Sequence, residues 1–143
     1  MDDGRRAASG FAHALPVWVW IAVIFCASSI PGPALQRVGL GVQDKILHAI
    51  EYGVLGFLAY RQQRGQIGRT IVGAIVVAWV IAMVVGCVDE LYQSMIPGRD
   101  RDWLDWVADQ SGGLAGAVIG AVYLHFASRR PERLGAAEGS DER

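Results

Sequence analysis

The chain has 143 residues, 52% of them hydrophobic, with 13 basic and 14 acidic side chains and a net charge of −1. That length is one domain's worth, and the near-neutral charge excludes electrostatic capture of nucleic acid, which needs a clustered basic face. The apolar fraction and the 18 glycines point to a membrane class, while Cys26 and Cys87 sit inside apolar runs without CxxC or Cys/His spacing, which argues against a disulfide framework or a cysteine zinc site.

In chain order, residues 1–13 read as a polar amino-terminal tail carrying Arg5 and Arg6. Four segments follow, Ala14–Ile30, Ile46–Tyr60, Ile71–Val88 and Val107–Phe126, each apolar on nearly all sides, as a helix solvated by lipid or deeply buried must be. A bilayer core of about 30 Å needs about 20 such residues, and the first, third and fourth segments meet that length. The second is short and carries His48 and Glu51, so it spans only with its neighbours' help. Trp18 and Trp20 suit a retained helix with aromatic rings near an interface. Two alternatives stand beside this reading: a soluble four-helix bundle, and for the first segment a cleaved signal, against which Ser28, Ser29 and Ile30 form an indifferent cleavage site. Beyond Phe126, residues 127–143 read as a polar, disordered tail. The expected fold is an all-α integral membrane bundle of four transmembrane helices over residues 14–126.

With four spans, the amino end, the second loop and the tail share one side. They carry nine of the 13 basic residues, and Arg37, Lys45, Arg99 and Arg101 fall on the other side. The positive-inside rule then puts both termini in the cytoplasm. Asp44, Glu51, Asp89, Glu90, Asp100, Asp102, Asp105 and Asp109 lie in the outer loops or the outer helix ends, so the outer end is expected to be acidic.

Residues three and four apart share a helix face. Asp44, His48 and Glu51, with Tyr52 beside them, form one stripe; Gly86, Asp89 or Glu90, and Gln93 form another; Asp102, Asp105, Asp109 and Gly112 form a third. Glu51 lies roughly 10 Å inward of Asp44, and Asp109 similarly inward of Asp102. An ionisable side chain at that depth costs at least about 2.5–3.5 kcal/mol if it faces lipid, so both should face the bundle interior, paired with His48, Lys45, Arg99 or Arg101. Asp89 and Glu90 are adjacent, and one of the two is expected to be solvated. Asp100 belongs to a turn primed by Pro97 and Gly98. Gly112, Gly116 and Gly120 repeat every four residues, the spacing that lets backbones approach closely in lipid, within one bundle or between two copies as a homo-oligomer.

The stretch "DKILHAIEYG", then "DELYQSMIPGR", then "DWVADQSGG", resembles the VanZ-like family of small bacterial membrane proteins, with three motif blocks in order from Asp44 to about Gly120. The family pattern falls on Asp44, Lys45, His48 and Tyr52, on Asp89, Glu90 and Gln93, and on Arg99, Asp105 and Gly112. Ser29 and Pro31 also resemble the Ser and Pro that follow the family's first helix. Asp109 departs from the pattern, which carries Asn there; an ionised carboxylate only accepts hydrogen bonds, whereas an amide also donates. The resemblance implies a multi-pass protein of the bacterial cytoplasmic membrane, and links the family's namesake to resistance to the glycopeptide teicoplanin.

Three functions fit these residues. The first is an envelope protein whose outward pocket, built from Asp44, Lys45, His48, Glu51, Tyr52, Asp89, Glu90, Gln93, Arg99, Asp105 and Asp109, binds a lipid headgroup or lipid-linked envelope precursor, with Arg99 and Lys45 on phosphate. The second is an intramembrane enzyme on a lipid-linked substrate. Its catalytic candidates are His48, Glu51 and Asp105, with His48 as an oriented base, or a divalent cation held among His48, Glu51, Asp89, Glu90, Asp105 and Asp109. The third is a small proton-coupled transporter that uses the deep acids as a relay.

Overall fold

The computed structural model describes the backbone of residues 2–37, 44–65, 67–99 and 102–138; the side chains of 2–13, 35, 36, 44 and 129–138 lie outside the description. The described residues are all-α, with five helices: α1 Asp2–Ser28, α2 Gly32–Arg37, α3 Asp44–Gly65, α4 Ile71–Gln93 and α5 Trp103–Glu138. The second, third and fourth apolar segments lie wholly within α3, α4 and α5, the first lies in α1 except for Ser29 and Ile30 beyond its end, and α2 is a short addition after it. The helices outrun the apolar segments. α4 continues through Asp89 and Glu90 to Gln93 because charge does not break a helix, and the chain then turns at Ser94 and Met95 and again at Pro97 and Gly98, where Gly98 adopts φ +74°.

Both expected tails need correction. α1 already begins at Asp2, and α5 runs on to Glu138 rather than ending at Phe126. Polarity alone does not prevent a helix: residues 127–138 hold three Ala, three Arg and two Glu, all strong helix formers, and α5 runs through them despite Pro131 and Gly135. Residues 139–143 lie outside the described residues.

α5 packs chiefly on α3 and then on α4, α3 also packs on α4, and α1 lies against α3 and α4. The inside of α4 shows how the bundle is solvated. Its buried residues are Ala74, Ala78, Ala82, Gly86, Asp89, Glu90 and Gln93, small or polar, while Val72, Val76, Val80, Val84 and Val88 are exposed. A water-soluble helix is arranged the other way round. Among the described residues, two helices are long and apolar enough to cross a membrane, Ile71–Gln93 with mean hydropathy 2.8 and Trp103–Ser128 with 1.3; Ala14–Ser28 is apolar but shorter.

In lipid, helices gain little from burying apolar surface against one another, and association depends on close van der Waals contact. The α3/α5 crossing meets that demand with missing side chains. A Cβ on Gly116 would stand 1.8 Å from the Gly53 carbonyl oxygen, and one on Gly112 would stand 2.1 Å from that of Ala49. Gly120 meets the Tyr60 ring. The glycine row therefore packs against α3 within one chain. Trp20 Nε1 donates to the Glu51 carbonyl at 2.8 Å, tying α1 to the middle of α3.

At one end of the bundle the α3–α4 connection is clasped by Arg69, whose Nε donates to Gln63 Oε1 at 2.9 Å, and α4 starts on Thr70, whose side chain accepts from the Gly73 N–H at 3.1 Å. The opposite end gathers the C-termini of α1 and α4 with the N-termini of α3 and α5. There the Gly32 N–H donates to the Pro97 carbonyl at 3.3 Å, so the segment after α4 lies on the elbow after α1.

Replacing Gly116 with Val drives a side chain into backbone that cannot yield, and should destabilise the protein by at least about 1–3 kcal/mol. Val84→Ala, on an exposed face, should stay within about 0.5 kcal/mol of the parent. Thermal unfolding in detergent measures both.

Candidate functional site

The polar end is built in three linked parts. At the centre, His48 on α3 is 4% exposed and Asp109 on α5 fully buried, with His48 Nδ1 and Asp109 Oδ1 2.9 Å apart. An ionised Asp109 can only accept, so Nδ1 then carries the proton. The Tyr52 ring lies nearly parallel to the imidazole, centroids 6.5 Å apart, one turn deeper on α3. Gly86 on α4 makes the room: a Cβ there would come within 3.0 Å of Asp109 Oδ2 and 3.2 Å of Gln110 Nε2. Glu51 is partly buried and lies within electrostatic reach of His48, Asp89, Asp109 and Arg99. His48 and Asp109, from separate helices, meet here.

Between α1 and α4 runs a second network. Ser28 Oγ donates to Asp89 Oδ2 at 2.9 Å, and Gln93 Nε2 donates to the same oxygen at 2.8 Å. Arg99 then donates from Nη1 to Gln93 Oε1 at 2.9 Å and from Nε to the Ile30 carbonyl at 3.2 Å. Both acceptors are neutral, and among the described residues no ion pair joins Arg99 to a carboxylate.

The rim closes α3 on α5. Lys45 Nζ lies 2.5 Å from Asp102 and 2.7 Å from Asp105. Asp102 also caps α5, its Oδ1 accepting from the Leu104 N–H at 2.9 Å. Lys45 first, and then this N–H, hold the Asp102 carboxyl below its ordinary value. Outside the Lys45 end, an apolar groove of about 700 Å³ runs along the glycine crossing, lined by Ile50, Phe57, Ser111, Ala115 and Ile119. It exists because the crossing residues lack side chains.

Of the residues singled out by sequence, His48, Glu51, Tyr52 and Asp109 meet at the centre, Asp89, Gln93 and Arg99 in the second network, and Lys45 and Asp105 at the rim. The side chain of Asp44, and all of Asp100 and Arg101, lie outside the described residues. The expectation that Asp89 or Glu90 is solvated is corrected: they are 0% and 9% exposed. Neighbours on a helix point about 100° apart, so Asp89 turns to α1 and Glu90 to α5. The six candidate metal ligands do not assemble into a cage; among the described residues no three His, Cys, Asp or Glu are grouped to hold a metal ion. Sequence reasoning missed Ser28, whose neighbour Ser29 is exposed and bonds Phe25 and Tyr92 instead. It also missed Gln110 and the Ala74, Ala78 and Ala82 row that leads to Gly86, although that row's four-residue spacing is present in the sequence.

A family model described as VanZ/LLP1 matches residues 11–124. The chain belongs to the VanZ/LLP1 family. No curated protein and no solved structure matches it. The matched span of the VanZ/LLP1 chain takes in every residue of the three networks, from Ser28 to Asp109.

Gln93→Ala in this VanZ/LLP1 protein removes the link between Asp89 and Arg99 and leaves buried groups unsatisfied, a loss of about 1–3 kcal/mol in detergent unfolding. Asp109→Asn keeps an acceptor for His48, so it should be tolerated where Asp109→Ala is not. Because the Asp102 carboxyl is depressed when folded, its support is complete above the ordinary carboxylate pKa and disappears as pH falls through the lower folded value. Acidification should therefore open the rim, read as increased proteolysis near Trp103, and Asp102→Asn should remove that pH dependence.

Proposed function

We propose that this VanZ/LLP1 protein is a four-span protein of the bacterial cytoplasmic membrane with both termini in the cytoplasm, and that its outward polar end binds the headgroup of a lipid or lipid-linked envelope precursor. The observation that carries this reading is the apolar groove between α3 and α5, which runs up to the polar rim at Lys45. Its lining suits a hydrocarbon chain. Its upper end suits a headgroup. The bias of basic residues toward the opposite end of the bundle supports the orientation.

Arg99 is the phosphate contact in this reading. Its described hydrogen bonds go to neutral acceptors, so its charge is available to an anion in a fork geometry that suits phosphate. Lys45 already serves two carboxylates and contributes less. An envelope role of this kind would alter access to surface precursors, which is how a change in teicoplanin susceptibility would arise.

The test is lipid retention by the purified protein, measured by native mass spectrometry after exchange into phosphatidylglycerol nanodiscs. Arg99→Ala should lower retention roughly tenfold, the scale of one charge-assisted contact, and Ala115→Trp should lower it by obstructing the groove without touching the rim. Equal retention by both variants and the parent would refute the reading. A second reading, an acid–base enzyme on a lipid-linked substrate, is favoured by the His48–Asp109 bond, which orients the imidazole as a general base requires. Asp109→Asn separates the two, since it should spare binding yet depress turnover.

A further inference from the structure

A second cavity, of about 410 Å³, lies between α4 and α5, away from the glycine crossing, and is lined by Cys87, Glu90, Leu91, Trp103 and Trp106. Among the described residues its one charged group is Glu90, which is 9% exposed and whose Oε1 is buried without a hydrogen-bond partner. Its other carboxylate contact is the Asp102 backbone N–H. Trp103, 71% exposed at the rim, would on its own be an interfacial anchor. That role does not account for a carboxylate buried beside it with an oxygen unsatisfied, in a cavity whose lining, among the described residues, contains no cation. Buried carboxylates normally have their oxygens paired, and here Glu90 shares the cavity lining with two tryptophans, Trp103 and Trp106.

We propose that this cavity is a site for an organic ammonium group, held by the Glu90 carboxylate between the aromatic walls of Trp103 and Trp106. Indole faces attract cations through their quadrupole, most strongly when water is excluded, and together with one carboxylate they recognise ammonium headgroups. A phosphate is disfavoured by Glu90 itself, and a bare metal ion would find one carboxylate and no other ligand of its kind in the lining. The site is separate from Arg99 and from the α3/α5 groove, so it does not depend on the anion-binding reading. The same chemistry is offered by an aminolipid headgroup in the adjacent leaflet and by a soluble amine.

The test titrates the purified full-length protein in neutral detergent with tetramethylammonium chloride, against sodium chloride at matched ionic strength, by calorimetry and tryptophan fluorescence. Saturable binding is expected in the parent, weakened roughly tenfold by Glu90→Gln and by Trp106→Ala, and restored in part by Trp106→Phe. Trp103→Ala should weaken it too; because that residue is largely exposed, this variant keeps the test decisive if the Trp106 variants do not fold. In a second arm, native mass spectrometry from mixed phosphatidylethanolamine and phosphatidylglycerol nanodiscs identifies the source. Glu90-dependent retention of phosphatidylethanolamine assigns a lipid headgroup, and tetramethylammonium binding without lipid preference assigns a soluble amine; either supports the site. A titration that matches sodium chloride, or one unchanged by both Glu90→Gln and Trp103→Ala, overturns it.

Discussion

The backbones of α3 and α5 touch where Gly116 meets Gly53 and Gly112 meets Ala49, and that contact governs both the polar end and the groove. A helix pair surrounded by hydrocarbon cannot rely on water to press it together; it must gain from dispersion at short range. Small residues make that approach available. Once α3 and α5 are this close, His48 and Asp109, roughly one turn above the glycine contacts on their own helices, come within hydrogen-bond distance. Gly86 extends the same logic to α4 by leaving space for the Asp109 carboxylate.

Burying that many carboxylates is expensive, and their arrangement answers the expense by distribution. Asp109 is served by His48, Asp89 by Ser28 and Gln93, and Asp105 by Lys45. Each network crosses from one helix to another, so the groups that relieve the desolvation cost also fix how the helices meet. This coupling of satisfaction to helix register is what buried polar groups do well, whatever their net contribution to stability. Asp89, Asp109 and Glu90 each keep one buried oxygen without a protein partner among the described residues; of the three, Glu90 is the one that lines the cavity between α4 and α5.

The outer surface and the polar end are complementary parts of one design. Valines cover the outside of α4, alanines and a glycine line its inside, and the acids appear only in the last two turns. The α3/α5 groove, lined mainly by apolar residues, reaches Lys45 at the polar end on one side of the bundle.

Much of this was legible in the residues alone. Helix type and approximate location follow from apolar run length, the glycine spacing announces close packing, and the i, i+4 stripes place His48, Glu51 and Asp109 on interior faces, because these are local properties of one helix. The motif blocks at Asp44, Asp89 and Asp105 also carry the family. Only the tertiary structure decided which helix each stripe meets. Nothing in the spacing of Asp89 and Glu90 says that α1 stands on one side and α5 on the other, so that both can be buried. Nor does it say that Ser28 rather than Ser29 turns inward, or that Trp103 and Trp106 stand over Glu90. Those outcomes depend on the rotation of each helix about its axis, which is fixed by the sum of contacts between helices and not by any one of them.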